Sequence, residues 1–193
     1  MLFRSELVRE KTVTSEANRA RRAAAKAEAP VESVEEVKAE DEAIADALAG
    51  LHDGATVMIG GFGTAGIPNE LIEGLIAQGA KGLTVVNNNA GNGDSGLAAL
   101  LAAGRVRKII CSFPRQVDSW HFDRLYREGK VELELVPQGN LAERIRAAGA
   151  GIGAFYTPTG YGTELARGKE VREIGGRMHV LEFPIHADLA LIK

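Results

Sequence analysis

The 193 residues are 45% hydrophobic and carry a formal charge of −3. That suffices for the core of one domain and lacks the basic excess of a nucleic-acid or anionic-membrane binder. No apolar run is long enough to span a bilayer, and Cys111, the only cysteine, excludes an intrachain disulfide framework and a Cys-x-x-Cys metal pair. Composition points to a soluble cytoplasmic α/β domain and no further.

Residues 1–42 differ in kind from the rest. A basic, alanine-rich stretch from Asn18 to Lys26 is followed by Pro30 and an acidic run through Glu32, Glu35, Glu36, Glu40, Asp41 and Glu42. Few large apolar residues are present, so the segment is expected to be a flexible, partly helical extension. An organelle transit peptide is the rival reading, opposed by Glu6, Glu10 and Glu16. The folded domain is then 43–193.

From Ala43 onward strand and helix periods alternate. Thr56-Val57-Met58-Ile59 is a short β-branched run closed by glycines, a buried strand. Pro68 opens a helix with an apolar stripe through Leu71, Ile72, Leu75 and Ile76, and Gly79 ends it. Leu83-Thr84-Val85-Val86 is the second strand, followed by a helix through Leu97, Leu100 and Leu101 that stops at Gly104. Val106 to Cys111 is the third strand, and a helix carrying Phe122, Leu125 and Tyr126 stops at Gly129. Val131 to Val136 alternates like a strand with one wet face. Asn140 and Glu143 have capping-box spacing ahead of Leu141, Ile145 and Ala148.

Four βα units with short connections predict an α/β fold, an open and mainly parallel sheet with helices on both faces. Phe155 to Thr163 is too rich in Gly, Pro and Thr for a regular element. Glu170 to Ile174 and Arg177 to Glu182 flank Gly175-Gly176, which predicts a C-terminal β-hairpin. A last strand runs from Leu189 to Ile192. An apolar strand with no polar closing segment after it reads as a C-terminal truncation.

Gly61-x-Gly63-x-x-Gly66 matches the dinucleotide fingerprint in letters and in its place between a strand and a helix. The second strand, however, ends in Asn87-Asn88-Asn89-Ala90-Gly91, with no ribose-binding acid before Asp94. The glycines could instead permit a tight turn. They could also bring bare backbone N–H groups and a helix N-terminus to an anion or carbonyl, as a thioester cofactor with a pyrophosphate and a pantetheine arm requires.

Asp53-Gly54, the apolar strand, Gly60-Gly61-Phe62-Gly63-Thr64-Ala65-Gly66 and Ile67-Pro68 closely resemble the A-subunit signature of the class I coenzyme A-transferases. Asn88-Asn89-Ala90-Gly91, Val136-Pro137-Gln138-Gly139, Leu141-Ala142-Glu143-Arg144-Ile145-Arg146 and Phe155-Tyr156-Thr157-Pro158-Thr159-Gly160 resemble further blocks of that family, in the same order. The likeness covers residues 43–193. Ala90 to Asp94, Cys111 to Gln116 and Gly151 to Phe155 resemble its 3-oxoadipate branch; the succinyl-CoA:acetoacetate branch is the alternative. A non-catalytic CoA-binding remnant and a nicotinamide enzyme are the rivals from other classes.

The resemblance implies transfer of CoA from succinyl-CoA to a 3-oxo acid through a glutamyl-CoA intermediate, with CoA as substrate and no tightly bound cofactor. The nucleophilic glutamate is expected on a partner B subunit, so this chain supplies none. The resemblance further implies CoA binding by Gly60, Gly61, Phe62, Gly63, Thr64, Ala65 and Gly66, and active-site amides at Asn88 and Gln138. It also implies that the A chain normally continues past Lys193.

Cys111 ends an apolar strand without a histidine nearby and is read as a buried structural thiol. His52, His121, His179 and His186 are scattered, and no metal is expected. Arg144 and Arg146 are candidates for CoA phosphates, although on a helix they point to different faces. Trp120 and Phe122 are read as core.

Overall fold

The computed structural model describes residues 34–193, with side chains from Lys38 onward. The expected extension therefore lies outside the described residues up to residue 33, and the transit-peptide question with it. From there the chain is helical (α1, Val34–Leu48). A compact unit spans Glu42–Lys193.

The elements follow the expected alternation. They are β1 (Thr56–Ile59), α2 (Asn69–Gln78), β2 (Leu83–Val86), α3 (Leu97–Ala102), β3 (Val106–Cys111), α4 (Trp120–Arg127), β4 (Glu132–Leu135) and α5 (Gln138–Gly149). Pro68 sits at the N-cap of α2. Gly79 closes that helix in the left-handed conformation at φ 96°, its N–H donating to the Leu75 carbonyl, a stop that glycine makes without steric cost.

One sheet runs β4-β3-β2-β1-β8, where β8 is Leu189–Leu191, and all its pairings are parallel. Each step from β1 to β4 moves the same way, so right-handed crossovers place α2, α3 and α4 on one face. The return from β4 to β8 puts α5 on the other. The switch of direction falls at β1, and the carboxyl ends of strands at such a point form a crevice where ligands bind in open α/β sheets.

Alternating strand residues feed the two faces. Val57, Ile59, Leu83, Val85, Ile109 and Cys111 pack against Ile72, Leu75, Leu97, Leu100, Leu101 and Phe122. Ile72, Leu75 and Leu100 are wholly buried, each such side chain contributing about 1.5–3 kcal/mol. On the opposite face Val86, Ile110 and Val136 meet Leu141 and Ile145 of α5.

A second, antiparallel sheet has the order β5-β7-β6, with β5 Phe155–Thr157, β6 Val171–Ile174 and β7 Arg177–Glu182. Gly175 and Gly176, at φ 58° and 75°, make the expected two-residue hairpin, whose turn demands two positive φ values.

Three local readings need correction. Helix α5 starts at Gln138, with Pro137 at its N-cap. Asn140 therefore lies inside the first turn and caps nothing; its amide donates to the Thr159 carbonyl and to Glu182. Phe155–Thr157 is a strand in spite of its surroundings, because β7 supplies its partners. Trp120 is 47% exposed and donates to Asp94, whereas Phe122 is buried as expected. Among the described residues no helix is long and apolar enough to cross a membrane.

Candidate functional site

Strand β2 runs on into Asn87-Asn88-Asn89, and the alternation of the strand decides where each amide goes. Asn87 and Asn89 point toward the glycine loop and are buried. Asn87 Nδ2 donates to the carbonyls of Ile59 (2.6 Å) and Gly60 (3.3 Å), and its Oδ1 accepts from Asn89 N. Asn89 Nδ2 reaches the Gly63 carbonyl at 3.5 Å, while its Oδ1 accepts from Gly91 N at 2.9 Å. These two residues tie the loop to the end of β2.

Asn88, one residue out of phase, turns to the α5 face. Its Oδ1 accepts from Gln138 Nε2 at 3.0 Å and from Ser112 Oγ at 2.8 Å. Its backbone carbonyl takes the N–H groups of Ser112 (3.2 Å) and Phe113 (3.0 Å). Both lone pairs of the amide oxygen are thus occupied, and Nδ2 has no acceptor among the described residues. Fifty residues separate Asn88 from Gln138, yet the fold makes them neighbours.

Both amides line a cavity of about 470 Å³ at the carboxyl ends of β1, β2 and β8. Gly60 and Phe62 form its rim. Met58, Leu141, Ile145 and Ile192 are among its apolar walls, and none of the lining residues is charged. An uncharged cavity with carboxamides at its edge can hold and polarise a carbonyl or thioester without titrating near neutral pH.

The glycine loop divides between two clefts. Gly60 N donates to the Leu191 carbonyl, fixing the loop to β8, and Phe62 and Ala65 exchange backbone hydrogen bonds of 2.9 and 3.0 Å across a tight turn. Phe62 is 62% exposed at the turn. Gly61 has φ 107°, a backbone conformation that strains any L side chain, so glycine is favoured there. Gly63 and Thr64 face a smaller crevice of about 40 Å³, shared with Gly91, Asn92, Ser95 and Gly96. Gly66 is exposed. The seven loop residues thus contribute to the large cavity through Gly60 and Phe62 alone.

Sequence reasoning missed a polar layer that Arg144 of α5 joins. Glu134 accepts from Lys108 (2.6 Å) and Arg144 (2.8 Å), Arg144 Nε lies 3.8 Å from Glu182, and Lys169 pairs with Glu182 at 2.7 Å. Burial pushes the Glu134 carboxyl upward, but the hydrogen bonds from Lys108 and Arg144 outweigh it and hold the group below the ordinary glutamate value. Arg144, whose Nε also donates to the Phe183 carbonyl, is therefore committed within the protein. Arg146 is exposed and pairs with Glu143 instead. The clue was weak: Glu132 and Glu134 alternate along β4 and look like a solvated face.

Cys111 is buried in the core, and burial pushes its thiol up to about 12, which leaves almost no thiolate at neutral pH. Among the described residues no group of three or more His, Cys, Asp or Glu side chains has metal-binding proximity.

A family model described as Coenzyme A transferase matches residues 41–193. The chain is 72% identical over 152 residues to the A subunit of 3-oxoadipate CoA-transferase from Pseudomonas putida, covering 79% of this chain and 66% of that protein. It is 66% identical over 150 residues to the protein of the same name from Acinetobacter baylyi, covering 78% and 66%. The chain thus spans about two thirds of the length of these curated relatives. Among solved structures, an acyl-CoA transferase of Escherichia coli O157:H7 in a thioester complex with CoA has a TM-score of 0.65 at 21% identity, covering 77% of this chain and 33% of that one. At that identity the likeness speaks for the fold alone.

Proposed function

The chain belongs to the coenzyme A transferase family, and we propose that it is the A half of a two-chain cytoplasmic enzyme moving CoA from succinyl-CoA to 3-oxoadipate in the breakdown of aromatic compounds. The observation that carries this reading is the meeting of Asn88 and Gln138 at the edge of an uncharged cavity. The 72% identity to a protein named for that reaction supports the choice of acceptor.

In this reading a glutamate of the partner B chain attacks the thioester carbonyl of succinyl-CoA. CoA leaves as thiolate and a succinyl-glutamyl anhydride forms. The thiolate then attacks the glutamyl carbonyl, which releases succinate and leaves a glutamyl-CoA thioester. The carboxylate of 3-oxoadipate repeats the sequence in reverse and departs as the new CoA thioester. Each attack develops negative charge on a carbonyl oxygen. Asn88 Nδ2, the unpaired donor at the cavity wall, stabilises that oxygen, and Gln138 holds the neighbouring position. Amides suit this task because they donate at any working pH. The glycine loop shapes the approach of the CoA arm through Gly60 and Phe62, while Asn87 and Asn89 keep the loop in place. The deeply buried Cys111 takes no part.

The test is co-expression with a B chain and an assay of CoA transfer from succinyl-CoA to 3-oxoadipate, with acetoacetate as the competing acceptor. Transfer to 3-oxoadipate is expected. A stable complex that transfers to neither acceptor sinks the reading, and a preference for acetoacetate moves the chain to the other branch. Asn88→Ala is expected to lower kcat about a hundred- to a thousand-fold, the usual loss when one donor to an oxyanion is removed, and Gln138→Ala to leave assembly intact and slow turnover by less. Unchanged turnover removes Gln138 from the site.

A further inference from the structure

A carboxamide beside a reacting thioester helps when its N–H meets the developing charge and hinders when its C=O does. The two ends of the group are nearly the same size, and rotation about its terminal torsion exchanges them at little steric cost. Something must therefore decide which end of Asn88 is presented. We infer that Ser112 is the positioning residue that does so. Its Oγ lies 2.8 Å from Asn88 Oδ1 and 3.2 Å from the Asn88 carbonyl. That carbonyl already takes two backbone N–H groups, so the single hydroxyl proton goes to the nearer Oδ1, holding the oxygen away and leaving Nδ2 as the free end.

Three observations favour Ser112 over Gln138 for this part. First, the Ser112 backbone is itself fastened to the same residue, with the N–H groups of Ser112 and Phe113 both donating to the Asn88 carbonyl. Second, the bridge between Asn89 and Phe113 extends the β2–β3 pairing past the named strands, so the hydroxyl has little freedom to withdraw. Third, Gln138 is exposed in the first turn of α5, and its own amide can turn over as easily as the one it would have to fix.

The inference rests on the function proposed above, and two arms of one experiment separate them. In the assembled two-chain enzyme, Ser112→Ala is expected to lower kcat about ten-fold while KM for succinyl-CoA stays within about two-fold, less than the loss of a direct donor because Asn88 itself remains. Ser112→Thr, which keeps the hydroxyl, is expected to restore kcat. Wild-type kcat in Ser112→Ala overturns the inference. So does an equal loss in both variants with a lowered Tm, the mark of a packing role.

The second arm needs no activity. In the full chain labelled with 15N-asparagine, the Asn88 side-chain amide signals are identified by their loss in Asn88→Asp. They are expected to shift and broaden in Ser112→Ala and to return in Ser112→Thr. Signals that stay in place overturn the positioning role. A wild-type complex without transferase activity overturns only the function proposed above and leaves this arm to decide.

Discussion

Val57, Ile59, Leu83, Val85, Ile109 and Cys111 leave one face of the parallel sheet for a core sealed by helices. Met58, Val86, Lys108, Ile110 and Glu134 leave the other face for α5, an ion-pair layer and an open cavity. The same strands serve both faces, and a shift of one residue separates a side chain that stabilises from one that faces the cavity or the ion-pair layer. Helices α2, α3 and α4 cover the first face, with Ile44 and Leu48 of α1 packed into the same core, and α5 covers the second, so the candidate site lies where coverage stops. The contrast runs through a single tripeptide. Asn87 and Asn89 secure the loop on one side, and Asn88 faces the cavity on the other.

If the ion-pair layer is structural rather than a solvated margin, its removal must be costly. Glu182 is 3% exposed and serves Lys169, Asn140 and Arg144 together. Glu182→Ala leaves the Arg144 guanidinium beside Glu134 alone and the Lys169 ammonium without its partner. We expect a loss of about 3 kcal/mol or more in urea unfolding, the range for breaking a buried ion pair from one side. A loss below about 1 kcal/mol would show that water already does the work of Glu182, as at a surface pair. The distinction between the faces would then be one of apolar content only.

The dry face was far more legible in the sequence than the wet one. Thr56–Ile59 and Val106–Cys111 stand where their β-branched runs place them, and Gly79 stops its helix as expected. Burial on one face writes a period into the chain, and that period can be read locally. The wet face depends on partners distant in sequence. Asn140 looks like a helix cap by spacing, yet Pro137 has already started the helix and Asn140 serves Glu182, 42 residues on. Phe155–Thr157 is a strand only because β7 lies beside it. The juxtaposition of Asn88 and Gln138 came from the family resemblance, since no period connects residues 50 apart. Ser112 carried no local signal at all: a serine after an apolar strand is commonplace, and its part emerges from the Asn88 contact alone.

Cys111 tests the dry face by titration. Its thiol is raised from 9.0 to about 12 by burial, which disfavours the thiolate. A group raised in the folded state contributes stability fully below its unfolded value and loses it as pH climbs toward the folded one, because the unfolded chain ionises first. Stability is therefore expected to fall between pH 9 and 12 from this group. Cys111→Ala should cost about 1 kcal/mol at pH 7, as for one buried methyl-sized group, and should show a shallower decline over that range. Parallel pH curves for the two proteins would mean that the thiol is hydrated, and the first face would not be as dry as its packing indicates.

The smallest effect is expected at Arg146, and it divides the two arginines of α5. Arg144 points into the ion-pair layer with a side chain 12% exposed, whereas Arg146, two residues on, is 58% exposed and holds only Glu143 one turn back. The hydrogen bond from Arg146 keeps the Glu143 carboxyl below its usual value, but an exposed pair at this spacing gives little net stability once water and salt screen it. Arg146→Ala is expected to move Tm by less than about 2 °C, within the spread for surface substitutions. In the assembled enzyme it is also expected to leave KM for succinyl-CoA within about two-fold, because a residue outside the site removes no binding energy. A rise in KM of about ten-fold with kcat unchanged would place Arg146 on a CoA phosphate, since uniform binding is what such a contact supplies. The outer surface of α5 would then belong to the site, and the boundary between the two faces would have to be drawn beyond the helix.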